Sequence, residues 1–170
     1  MSKTHVITQG ERLATSEADA RISTLLGSCV ACCLWDPIAK VGGMNHILLA
    51  VQPNCPDMVP NLTAMNAMEL LVNDLLKLGA CRHRLLAKAF GGASMITGLS
   101  RIGAENGQFL LAYLEREGIE CVSLSLGGEY ARHIVFTPSN GAVRMRMTGR
   151  MPLENTERSR RPAGNGMEIF

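Results

Sequence analysis

Cys29 and His46 are the two residues whose types and spacing best suit a chemical reaction. Asp36-Pro37-Ile38-Ala39 has the Asp and Pro of a type I turn, and the apolar runs on either side read as the arms of a hairpin. A turn that closes Asp36 on Ala39 sets Cys29 directly opposite His46 on one face, with β-carbons about 4.5–5.5 Å apart. A thiol beside an imidazole is the working pair of cysteine hydrolases. A neighbouring imidazolium lowers the thiol pKa, and the thiolate attacks a carbonyl carbon. Gly27 and Ser28 immediately precede the thiol, where main-chain N–H groups of a tight turn can face a developing oxyanion. Ser23 and Thr24 offer hydroxyls that can hold the imidazole in one tautomer. Unbroken strand alternation puts Ser23 on the Cys29 face and Thr24 on the other. Gly91-Gly92-Ala93 is a second small-residue loop, open to close approach by a substrate backbone.

Other chemistries are less well served. Cys29-Val30-Ala31-Cys32 has the two-residue spacing of zinc and dithiol pairs, but no second pair completes a ligand set, and the motif opens an apolar strand rather than a helix. Cys32 and Cys33, adjacent in that run, read as buried reduced thiols. No phosphate-loop or dinucleotide glycine pattern surrounds the glycine pairs. Neither a metal nor an organic cofactor is expected. Seventeen Lys plus Arg against fifteen Asp plus Glu give a net charge of +2, too balanced to suggest nucleic acid as a partner. One Trp, two Tyr and four Phe are too few for base-stacking platforms.

The elements that must position this chemistry are mostly strands. The chain has 170 residues, 46% of them hydrophobic, which suits one domain with a sizeable core. Arg21–Leu26, Cys29–Trp35, Val41–Val51, Arg84–Phe90, Ile119–Leu126, His133–Phe136 and Ala142–Met147 read as strands, with one more short strand around Val6 and Ile7. Helices are expected over Asn61–Leu78 and Gly103–Glu117, where apolar residues recur at helical spacing and a glycine follows each end. Gln52–Pro60, with three prolines, reads as a loop. Strands in adjacent pairs rather than in strict alternation with helices predict an α+β, strand-rich layered sandwich with a mostly antiparallel or mixed sheet and two main helices. Residues 1–147 form that domain. Residues 148–170 are polar, carry two prolines and read as a flexible tail. The N-terminus lacks the apolar segment of a signal peptide, and the longest apolar run is far shorter than the roughly eighteen residues of a spanning helix. A cytoplasmic protein without direct membrane insertion is expected.

Five motifs in order resemble the CheD family of bacterial chemoreceptor glutamine deamidases. They are Leu26-Gly27-Ser28-Cys29-Val30, Gly42-Gly43-Met44-Asn45-His46, Lys88-Ala89-Phe90-Gly91-Gly92-Ala93, Ile102-Gly103 with Asn106, and Gly127-Gly128 followed by Arg132. Together they cover roughly residues 21–147. The resemblance implies a layered α/β sandwich and a cysteine hydrolase that converts glutamine side chains on chemoreceptor signalling helices to glutamate with release of ammonia. Some family members also hydrolyse glutamyl methyl esters on the same receptors. The nucleophile falls on Cys29 and the histidine on His46. The third residue, a threonine six positions before the cysteine in the family, falls on Ser23, with Thr24 as the alternative. The resemblance also names partners, the receptor signalling domains and a phosphatase of the CheC type. A non-catalytic adaptor binding those same partners is the competing reading.

Overall fold

The computed structural model describes residues 2–48, 62–94, 100–149 and 167–170. The strands are β1 (Lys3–Val6), β2 (Arg12–Thr15), β3 (Ala20–Leu26), β4 (Val30–Asp36), β5 (Val41–Ile47), β6 (Leu86–Gly91), β7 (Glu120–Leu126), β8 (Ala131–Thr137), β9 (Ala142–Thr148) and β10 (Met167–Ile169). The helices are α1 (Leu62–Lys77) and α2 (Ser100–Arg116). One sheet runs β1-β3-β8-β9-β10 and the other β2-β5-β4-β6-β7. Both are mixed: β1/β3 and β6/β7 pair parallel, and every other neighbour pairs antiparallel. The expected strand-rich α+β sandwich is what forms.

The sequence of β4 accounts for the layering. Val30, Cys32 and Leu34 pack with α1 and α2, while Ala31, Cys33 and Trp35 pack with β3, β8 and β9 of the other sheet. A strand covered on both faces has to be apolar at every position, so VACCLW shows no alternation. The order of layers is therefore helices, sheet, sheet. Cys32 and Cys33 are fully buried, and burial pushes both thiols up.

The hairpin of β4 and β5 closes differently from the expectation. Asp36 faces Val41, and the loop has four residues, with Lys40 in the left-handed region at φ 56°. Asp36 sets this geometry. Its carboxylate accepts the amides of Ile38 and Ala39, and its carbonyl accepts that of Lys40 at 2.9 Å. The register moves by two residues, so Ala31 rather than Cys29 stands opposite His46. A shift of two preserves the face, because strand side chains alternate with period two.

Two other differences lie in residues 2–20 and 167–170. Residues 2–20 hold two strands, β1 and β2, where one was expected. Both are short edge strands whose side chains are exposed or only partly buried, which leaves little hydrophobic pattern to read. Within the expected tail, Met167–Ile169 pairs with Arg144–Arg146 of β9. The Phe170 ring meets Phe90 edge-on at 5.7 Å, and the buried Lys88 ammonium donates to the main-chain oxygen of Phe170. The loop expected over Gln52–Pro60 lies outside the described residues, as do residues 150–166.

Candidate active site

The chain leaves one sheet at the end of β3 and enters the other at the start of β4, and Gly27-Ser28-Cys29 makes that crossing. Each carbonyl of the crossing is anchored. Gly27 O accepts the Ala93 amide at 3.0 Å, Cys29 O accepts the Gly92 amide at 2.9 Å, and Ser28 O accepts Nδ2 of Asn106 at 2.7 Å. Gly91 backs onto the same segment. A β-carbon there would lie 2.2 Å from the Cys29 carbonyl oxygen, and its φ of 109° is open to glycine alone. The thiol that results is half-buried and packs against the core between the two sheets.

His46 projects from β5 into the same layer and is 7% exposed. Its main chain is pinned twice, the amide to Glu11 O at 3.0 Å and the carbonyl by the Gly10 amide at 2.9 Å. Its Nδ1 lies 2.8 Å from Oγ1 of Thr24, on β3 of the facing sheet. The hydroxyl of Thr24 donates to the carbonyl of Ile7 at 2.7 Å. A carbonyl can only accept, so the single hydroxyl proton is committed there. Thr24 therefore accepts from Nδ1–H, and the lone pair of the neutral imidazole is on Nε2.

Thr24, not Ser23, holds the histidine. Ser23 points to the opposite face of β3, with its Oγ 2.9 Å from Nε2 of His133, and opens onto a groove of about 650 Å³ beside Arg21 and Arg144. Strand parity places Ser23 on the Cys29 face only if one continuous strand runs through Gly27. The chain changes sheets there, so alternation does not carry across. Cys29 and His46 do share a layer, on diagonal rather than opposed positions, and no hydrogen bond joins them here. Such bonds are often long before substrate binds. Gly92 is scaffold: its amide is committed to the Cys29 carbonyl rather than open to a ligand. Cys29 and Cys32 face different layers of the sandwich, so they form no dithiol pair.

Burial sets the protonation of the pair. Desolvation pushes the Cys29 thiol up, against a smaller opposing pull from its own amide. Desolvation also pulls the His46 imidazole below its ordinary value, partly offset by the charge of Glu11. Both groups rest neutral at pH 7, in place of the expected thiolate–imidazolium pair. The arrangement suits a base that takes the thiol proton as attack begins. Among the described residues, no cluster of three or more His, Cys, Asp or Glu is placed to hold a metal ion.

Two buried polar residues brace the site. Asn106 is fully buried on α2, and Arg132 is 3% exposed on β8. The Arg132 guanidinium donates to Gly127 O at 2.7 Å, Ser125 Oγ at 3.1 Å and Gly91 O at 3.3 Å, tying the end of β6 to the loop after β7. The sequence marks both only as motif positions. The physical signal for Asn106 is a polar residue on the buried stripe of an amphipathic helix, between Gly103 and Leu110.

A family model described as CheD, chemotactic sensory transduction, matches residues 53–147. The chain belongs to the CheD family. It is 48% identical over 149 residues to the probable chemoreceptor glutamine deamidase CheD of Cereibacter sphaeroides, covering 88% of this chain and 74% of that one. Proteins of the same name in Agrobacterium fabrum and Zymomonas mobilis are 40% identical over 180 residues and 44% over 155. These alignments span 99% and 89% of this chain and 96% and 84% of theirs. Two solved structures, Bacillus licheniformis YfiH and Neisseria meningitidis NMB0706, align at TM-scores of 0.37 and 0.38 with 15% and 8% identity. They cover 52% and 69% of this chain and 36% and 51% of those chains. No helix among the described residues of this CheD chain is long and apolar enough to cross a membrane.

Proposed function

We propose that this CheD-family chain is a cysteine hydrolase that deamidates glutamine side chains of chemoreceptor signalling domains, with Cys29 as nucleophile, His46 as acid and base, and Thr24 as the residue that orients His46. The observation that carries the chemistry is the Thr24–His46 bond, which fixes the tautomer with Nε2 as base. The relatives named as chemoreceptor glutamine deamidases supply the substrate class.

Nε2 of His46 takes the Cys29 proton while Sγ bonds to the glutamine side-chain carbonyl carbon. The oxygen becomes an oxyanion, held by amides of the Gly27–Cys29 crossing. The imidazolium returns its proton to the amide nitrogen, the C–N bond breaks and ammonia leaves a thioester. Neutral His46 then takes a proton from water as it attacks the thioester carbon, and collapse releases glutamate and the thiol. A glutamyl methyl ester fits the same steps, with methanol as leaving group. The enzyme works in the cytoplasm, where its substrate helices lie. A phosphatase of the CheC type is a further partner on the strength of the family, tested by co-purification.

Mass spectrometry of a chemoreceptor signalling domain incubated with the protein tests the activity directly. Wild type replaces amide NH2 by OH at specific glutamines, and Cys29→Ala does not. Equal modification by both excludes the hydrolase, and receptor binding with no modification by wild type would establish the adaptor instead.

A further inference from the structure

The crossing that carries the nucleophile has its three carbonyls turned toward α2 and the loop after β6, and that orientation has a consequence for its amides. In a trans peptide the C=O and the following N–H point in opposite directions. Ser28 O is directed at Asn106, so the Cys29 N–H is directed away from α2. Gly27 O is directed at Ala93, so the Ser28 N–H is directed away from that loop. Neither amide donates to an oxygen among the described residues. Two main-chain donors beside a half-buried thiol, with no acceptor oxygen among the described residues, are what an oxyanion of a tetrahedral intermediate requires.

Asn106 reaches Ser28 because of the residue one turn before it. A β-carbon at Gly103 would lie 2.5 Å from the carbonyl oxygens of both Gly92 and Ala93, so the absence of a side chain lets α2 lie directly on that loop. Gly103 and Asn106 are three apart and share a helix face. The close approach at Gly103 brings the carboxamide of Asn106 within 2.7 Å of Ser28 O.

We propose that Asn106 is a positioning residue for the oxyanion site: by holding the Ser28 carbonyl against α2, it fixes the Cys29 amide on the side where the tetrahedral oxygen forms. The inference rests on the hydrolase reading above. Without the carboxamide donor, the Ser28–Cys29 peptide loses its only side-chain anchor among the described residues and is free to rotate its amide off the oxyanion.

Asn106→Asp is nearly isosteric and replaces the donor by an acceptor. Asn106→Ser shortens the side chain without adding charge and serves where Asp impairs folding. Three measurements separate positioning from structure: kcat and KM on a chemoreceptor signalling domain, the alkylation rate of Cys29 by iodoacetamide, and the melting temperature. Alkylation displaces iodide at a saturated carbon and forms no oxyanion. A positioning role predicts that kcat falls on the order of 10²-fold with KM within a few-fold. Alkylation stays within a few-fold of wild type and the variant remains folded. A folded variant with wild-type kcat overturns the inference, and so does a parallel fall in kcat and alkylation, which would mark Asn106 as general support for the thiol. Wild type without deamidase activity defeats the activity reading itself, which is a different result from an active wild type matched by active Asn106 variants.

Discussion

Thr24 and His46 belong to different sheets and meet through one hydrogen bond of 2.8 Å. Because Thr24 donates onward to Ile7, the bond has one direction and selects one imidazole tautomer. Thr24→Ala should therefore lower kcat on the order of 10²-fold while leaving substrate binding intact, and Thr24→Ser should recover most of the loss. Ser23→Ala, which touches His133 instead, should stay within a few-fold of wild type. Steady-state kinetics on the three variants decides between them, and a damaging Ser23→Ala with a silent Thr24→Ala would reverse the assignment.

Protonation of His46 should govern the acid side of the pH profile. The base must be neutral to accept the thiol proton, so activity is lost as pH falls through the His46 pKa. Burial holds that pKa below the ordinary 6.5 and the charge of Glu11 raises it. Removing that charge in Glu11→Gln should move the acid limb of kcat/KM to lower pH. A limb that moves upward would show that another group is titrating.

The thiols should separate by accessibility. Cys29 is half-buried, whereas Cys32 and Cys33 have no exposed surface. Iodoacetamide at neutral pH should label Cys29 and spare the other two in the folded protein, as peptide mapping will show. Cys29→Ala should abolish deamidation with little change in melting temperature. Cys33→Ala should keep activity and lose about 1 kcal/mol to the cavity it leaves.

Asp36 should dominate acid sensitivity of the fold. Burial alone would raise its carboxyl, but bonds from Arg84 and from the amides of Ala39, Cys81 and Ile38 outweigh that and hold it well below the usual carboxylate range. A depressed carboxylate contributes stability that is fully present above the unfolded value of about 3.9 and is lost as pH falls below it toward the folded value. Asp36→Ala should cost about 3 kcal/mol at pH 7 and flatten the acid limb of stability, measured by urea unfolding across pH.

Legibility in the sequence followed the periodicities. Cys29 and His46 share a layer even though the hairpin register differs by two residues from the one the turn predicts, because a two-residue slip leaves faces unchanged. Choosing between Ser23 and Thr24 needed the fact that Gly27–Cys29 crosses between sheets, which no local pattern encodes. The bond from Asn106 to Ser28 is harder still to read. Asn106 lies 78 positions from Ser28 in the chain, and only a polar residue on an apolar helix stripe betrays it.

Since one half of the orienting bond is carried by each sheet, it also serves as a strut between them. The 7–11 segment reinforces it, bonding Ser23 on one side and His46 on the other. A slide of one sheet over the other by an ångström would misalign the imidazole while leaving every strand ladder intact. Under mild denaturant or heat, catalysis should therefore fail before the ladders melt, and amide exchange in β4 should still be slow when turnover has stopped.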